Sequence, residues 1–97
     1  MTDLRSLQRE AFEIAEANGF HEDGRSRPEV LALIHGEVSE ALEADRVGDD
    51  EEYAVELADI VIRVFDHAEE EGIDLESQIV EKNAKNRERD YKHGKRY

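Results

Sequence analysis

A chain of 97 residues with a net charge of −13 and 40% charged side chains has room for one domain, residues 1–97, near the lower limit for burying its own core. It has no cysteine, which excludes disulfides, thiolate metal sites and thiol catalysis. No apolar run approaches the roughly 18–20 residues of a membrane span, and no signal-peptide-like stretch opens the sequence, so a cytoplasmic protein with no membrane partner is expected.

Stretches rich in Glu, Ala, Leu and Arg, interrupted at isolated glycines, predict an all-α fold. The first helix is predicted from Asp3 to Asn18, with Leu4, Leu7, Ala11 and Ile14 on one face and Asn18-Gly19 as its stop. A loop over Phe20–Arg25 follows. Ser26 then reads as an N-cap, Glu29 as its capping-box partner, and Pro28 fits the first turn. That second helix should end at about Val47, before Gly48. Asp49 caps a third helix running to Gly72, and Asp74 caps a fourth that ends before Gly94. Short connections between four helices predict a small bundle.

Glu37-Val38-Ser39-Glu40 and Glu56-Leu57-Ala58-Asp59 place two carboxylates each on one helix face. Spacing alone is weak, because eight acid-x-x-acid pairs occur, among them Glu10/Glu13, Asp49/Glu52 and Asp66/Glu69. Context separates these two. Glu37 lies within the apolar arc of Val30, Leu33, Ile34, Ala41 and Ala44. The third helix is apolar nearly all round, predicting burial, and its polar residues fall on one stripe: Glu52, Glu56, Asp59, Arg63, Asp66. In an antiparallel hairpin turning at Gly48, Glu37 lies level with Asp59 and Glu40 level with Glu56. With about 4.5 Å of rise within each pair and roughly 8–10 Å between packed helices, four carboxylates converge. Four partly buried anions call for cations, and hard oxygen donors suit Mg²⁺ or Mn²⁺.

Seven of the thirteen basic residues lie in the last sixteen positions, leaving residues 1–81 with a balance of −18. Duplex nucleic acid is not expected as a partner of that surface. Lys82, Asn86, Arg89 and His93 share a face of the fourth helix, fit either to hold phosphates or to serve as a solvated basic end. Arg63 is placed either to orient a carboxylate or to touch phosphate. His35 and His67 read as surface histidines.

Together these residues resemble the MazG-like branch of the all-α nucleoside triphosphate pyrophosphohydrolases. The resemblance rests on His35-Gly36-Glu37-Val38-Ser39-Glu40-Ala41-Leu42-Glu43-Ala44, on Glu56-Leu57-Ala58-Asp59-Ile60-Val61-Ile62-Arg63, and on Glu81-Lys82, Asn86, Arg89 and His93-Gly94-Lys95. It implies Mg²⁺-dependent cleavage of a nucleoside triphosphate to the monophosphate and pyrophosphate, in the service of nucleotide-pool cleaning. Glu37, Glu40, Glu56 and Asp59 would be catalytic residues and metal ligands. One of them, or the metal, would prepare the attacking water. Lys82, Asn86, Arg89 and Lys95 would bind the substrate's phosphates, with Phe12 or Phe20 a candidate for base selection. It also implies a homodimer or dimer of dimers, which would cover the apolar third helix. One alternative is an acidic helical interaction protein that binds metal and catalyses nothing; it would be marked by loss of an acidic ligand or of the basic end, and neither is lost. A di-iron bundle is the other, but its Glu-x-x-His motifs are absent.

Overall fold

The computed structural model describes residues 2–89, and four helices account for most of them: α1 (Leu4–Ala17), α2 (Arg27–Arg46), α3 (Asp50–Glu70) and α4 (Leu75–Arg87). Each starts on a capping side chain. Asp3 accepts from the Ser6 amide, Ser26 from Glu29, Asp49 from Glu52 and Asp74 from Ser77, each satisfying an amide that the helix itself cannot pair. Glu29 answers Ser26 through its hydroxyl, which donates to Glu29 Oε1 at 3.2 Å.

The first three helices end in the same backbone motif. The Gly48 amide donates to Asp45 O and the Asp49 amide to Ala44 O, both at 3.0 Å, and Gly48 has φ +74°. This left-handed residue reverses the chain so tightly that α2 and α3 fold into a hairpin, the most extensive helix pair of the fold. At the end of α1, Gly19 donates to Glu16 O and Phe20 to Ala15 O, which fixes where the chain leaves that helix. The same pattern closes α3 through Glu69 and Ala68.

α1 packs across α3, while α4 packs against α1. Gln8 ties these elements together. It is only 1% exposed, and its amide donates to Glu69 Oε1 (3.0 Å) and Ile73 O (2.7 Å) while its oxygen accepts from the Leu75 amide (3.4 Å). A buried amide with all these groups paired costs little, whereas an unpaired one is expensive. Arg5–Asp74 (3.0 Å) closes the same junction.

The buried hydrophobic residues are all small: Ala11, Ala15, Val30, Ala41, Ala44 and Ala68. Small residues let helices approach closely but bury little apolar area. The expected burial of the third helix is therefore not met within one chain. Only Glu56 and Ala68 of α3 are buried, and Tyr53, Val55, Leu57, Val61 and Ile62 remain exposed. The physical reason is simple: α1 and α2 cover two sides of α3, and α4 packs on α1 instead. Among the described residues, no helix is long and apolar enough to cross a membrane.

Candidate metal centre

The hairpin turn at Gly48 sets the register between the two acidic pairs. Carboxylate oxygens of Glu37 from α2 and of Glu56 and Asp59 from α3 lie within 4.8 Å of one another. Glu56 is buried and its Oε2 has no hydrogen-bond partner among the described residues, while Glu37 and Asp59 are half-buried. Glu40 is exposed and stands outside this trio, though it is close enough to Glu56 to act on it. Glu52, one turn before Glu56, acts on it as well. Contact with the Glu52 carboxyl, burial, and the Glu40 carboxylate together push Glu56 up to about 7. Such a raised proton affinity is the signature of anions gathered without enough opposite charge.

One cation side chain enters the array. Arg63 Nε donates to Glu37 Oε1 at 2.7 Å, so of the two roles open to Arg63, this geometry is the carboxylate-orienting one. The donors otherwise are carboxylate oxygens alone. Three carboxylates this close, one of them the buried Glu56 with an unpartnered oxygen, fit a hard divalent cation, and the set offers nothing to favour a soft metal.

Glu37, Asp59 and Arg63 also line a cleft of about 640 Å³ between α1 and α3. Its walls are otherwise mostly apolar, with Leu7, Ala11 and Ile14 from α1 facing Ala58, Val61, Ile62 and Phe65 from α3. Phe20 lines the cleft from the loop after α1, with 60% of its surface exposed. Phe12 does not line it; its ring stacks on His21 with centroids 4.8 Å apart. A volume of this size, with mostly apolar walls and a few charged groups in its lining, is typical of small-molecule sites.

The basic face is placed differently. Lys82 and Asn86 are exposed on α4, Arg89 follows that helix, and none of them lines the cleft. Lys95, with His93, lies outside the described residues. His35 is exposed as expected. His67 is not a plain surface residue: its side chain is largely covered, with Nε2 3.8 Å from Glu71.

His21 carries no signal in the sequence, being one histidine in an irregular loop. Its side chain is only 8% exposed. Nδ1 meets Glu16 Oε2 on α1, Nε2 meets Asp66 Oδ1 on α3 at 2.8 Å, and Glu70 stands 3.8 Å away. Burial by itself would lower the ring's proton affinity. The bonds to Glu16 and Asp66 outweigh it and hold the imidazole above its ordinary 6.5.

A family model described as the MazG nucleotide pyrophosphohydrolase domain matches residues 25–93, which include both acidic pairs, the hairpin and the basic face. No curated protein and no solved structure matches the chain.

Proposed function

Since the chain belongs to the MazG nucleotide pyrophosphohydrolase domain family, we propose that it is a Mg²⁺-dependent enzyme that cleaves nucleoside triphosphates to monophosphate and pyrophosphate. The observation that carries this reading is the meeting of Glu37, Glu56 and Asp59 beside a largely apolar cleft, which Glu37 and Asp59 line and whose volume admits a nucleoside. Glu37, Glu56 and Asp59 would hold the ion, with Glu40 completing the set. Mn²⁺ is a suitable substitute for the same oxygen donors. When bound, a divalent cation there offsets charge on phosphoryl oxygens and makes water easier to deprotonate.

The chain's own residues supply the rest. The apolar walls receive base and sugar and exclude water from them, and the exposed face of Phe20 is available for stacking. The triphosphate then points toward the carboxylates. Arg63 holds Glu37 in one orientation through its Nε–H. A water oxygen bonds to the α-phosphorus, the bridging oxygen to the β-phosphorus leaves with pyrophosphate, and a carboxylate of the array takes the water's proton.

Lys82, Asn86, Arg89 and Lys95 bind phosphate in this reading. Because the described ones stand away from the cleft of their own chain, they would serve the cleft of a second copy. A homodimer or dimer of dimers would also cover the exposed apolar face of α3. The whole of residues 1–97 acts as one domain, and the biological role is removal of unwanted nucleotides from the cytoplasmic pool.

The test is a panel of canonical and modified triphosphates with Mg²⁺, assayed separately for pyrophosphate and orthophosphate. Pyrophosphate as the sole initial product supports cleavage between the α- and β-phosphates. Orthophosphate as the initial product, or no turnover of any substrate, overturns the reading.

A further inference from the structure

The loop between α1 and α2 carries a wall of the cleft. Phe20 follows Gly19 in the turn that ends α1, its amide bonded to Ala15 O at 3.0 Å, and its ring lines the cleft. The next residue, His21, is held from α1 and α3. Glu16 faces it from α1, Asp66 and Glu70 from α3, and Phe12 of α1 stacks on its ring. Arg25, farther along the loop, reaches the second oxygen of Asp66 at 3.4 Å. Asp66 itself lines the cleft.

A neutral imidazole has one N–H and one lone pair, so it can donate to only one of two carboxylates and must turn its lone pair on the other. Only the imidazolium donates to both Glu16 and Asp66. With three carboxylates about a single ring, the arrangement is built around a positive charge.

We propose that His21, as an imidazolium, is a positioning residue that joins α1 to α3 and holds the adjacent Phe20 as the wall against which the nucleoside docks. This rests on the nucleotide reading of the cleft. Loss of the proton leaves one carboxylate facing the lone pair of a largely covered ring, loosens the loop, and frees Phe20. The effect falls on substrate binding, because His21 touches neither the carboxylate trio nor Arg63. Nucleotide affinity therefore weakens as pH rises through the titration of His21.

Two measurements test this. In wild-type protein followed by NMR, the His21 ring should titrate above its ordinary 6.5, and the Ile14 and Ile62 methyl groups lining the cleft should shift with the same midpoint. Both methyl shifts should vanish in His21→Gln. In steady-state kinetics, His21→Gln should raise KM for a nucleoside triphosphate about tenfold, what one hydrogen bond to a charged group amounts to, with much less change in kcat. Phe20→Ala should do the same, and the double variant should be no worse than either, since both act through one wall. If His21→Gln does not fold, Glu16→Gln removes one acceptor from an exposed position and should lower the His21 midpoint while raising KM in the same direction.

An ordinary or lowered His21 midpoint, methyl groups that ignore it, or strictly additive effects of the two substitutions would overturn the proposal. A wild-type protein without pyrophosphohydrolase activity would sink the nucleotide reading alone. The methyl titration would still decide whether His21 holds the cleft.

Discussion

Arg63 Nε donates to Glu37 Oε1 at 2.7 Å, from α3 to α2, where both residues line the cleft and Glu37 meets Glu56 and Asp59. A guanidinium offers its N–H groups in a fixed fork, so the bond sets the direction of the Glu37 carboxylate as well as offsetting its charge. Partners of this kind, one step removed from a metal, typically cost about 10–100-fold in affinity or activity when removed. Arg63→Ala should therefore lower kcat/KM by about 10–100-fold, and Arg63→Lys should recover only part of it. Unchanged kinetics in Arg63→Ala would mean the pair only packs α2 against α3.

Removing one carboxylate of the array should abolish turnover and leave the fold intact. Glu40→Gln and Asp59→Asn each delete an anion from a repulsive group, so the metal-free variants should melt no lower than wild type. Circular dichroism and a pyrophosphate assay check the two halves separately. Near-normal Mg²⁺-dependent activity in either variant would rule out that residue as a ligand. A cation bound only by the native state adds RT ln(1 + [L]/Kd), about 2.7 kcal/mol at a hundredfold excess over Kd. Wild type should show that stabilisation in Mg²⁺, and Glu37→Gln/Glu56→Gln should show far less.

The helix ends are legible in the sequence because each is written in local chemistry: Ser26, Asp49 and Asp74 cap where expected, and Gly48 turns the hairpin. With that turn fixed, the convergence of Glu37 with Asp59 follows from helical rise alone. The contacts that stay hidden are long-range ones made by residues without a periodic signature. Gln8 falls within the first helix like any polar residue, yet among the described residues it is the most buried, because Glu69, Ile73 and Leu75 meet its amide. His21 sits in a turn, and its partner Asp66 is 45 positions away. The bare apolar face of α3 has a different cause: periodicity says which residues are apolar, not whether the same chain covers them.

Glu56 and His21 both take up protons more readily in the fold than in the unfolded chain. Glu56 is raised from an ordinary 4.5 to about 7, and His21 is raised above 6.5. Between the unfolded and folded values the native state binds the extra proton, so stability falls as pH rises. The Glu56 part of this loss runs from 4.5 to about 7, and the His21 part begins at 6.5 and continues through its folded value. In chelator, wild type should melt lower at about pH 8 than at about pH 5.5. Glu56→Gln should flatten the lower part of the curve and His21→Gln the upper part. Saturating Mg²⁺ should remove the Glu56 part, since a bound cation favours the ionised carboxylate. Asp3, Asp74 and Glu71 are lowered by the Ser6 amide, the Ser77 amide and Arg27 respectively, so their contributions are lost only on the acid side. A chelated wild type that gains stability from about pH 5.5 to about pH 8 would contradict both assignments.

The basic face of α4 and the acidic array of the same chain do not share a cleft, and this makes subunit exchange a direct test. Lys82 and Asn86 are exposed on a helix that packs against α1, whereas the carboxylates stand between α2 and α3. If Lys82 and Arg89 bind phosphate, Lys82→Ala and Arg89→Lys should raise KM or lower kcat while leaving Mg²⁺ affinity, measured by calorimetry without nucleotide, nearly unchanged. Arg89→Lys should hurt even though the charge is kept, because lysine cannot make the paired bonds of a guanidinium to phosphate. If those side chains serve a second copy, then Glu56→Gln and Lys82→Ala chains, each defective alone, should regain activity when mixed and allowed to exchange. Random assembly of dimers would give one half mixed dimers, each with one intact site made from the wild-type carboxylate of one chain and the wild-type lysine of the other, so about a quarter of wild-type activity should return. Recovery requires the two functions to come from different chains. Mixed dimers that stay inactive would place Lys82 at the site of its own chain, and normal kinetics in both single variants would leave α4 as a solvated basic end, with Arg63 the remaining described source of positive charge beside the array.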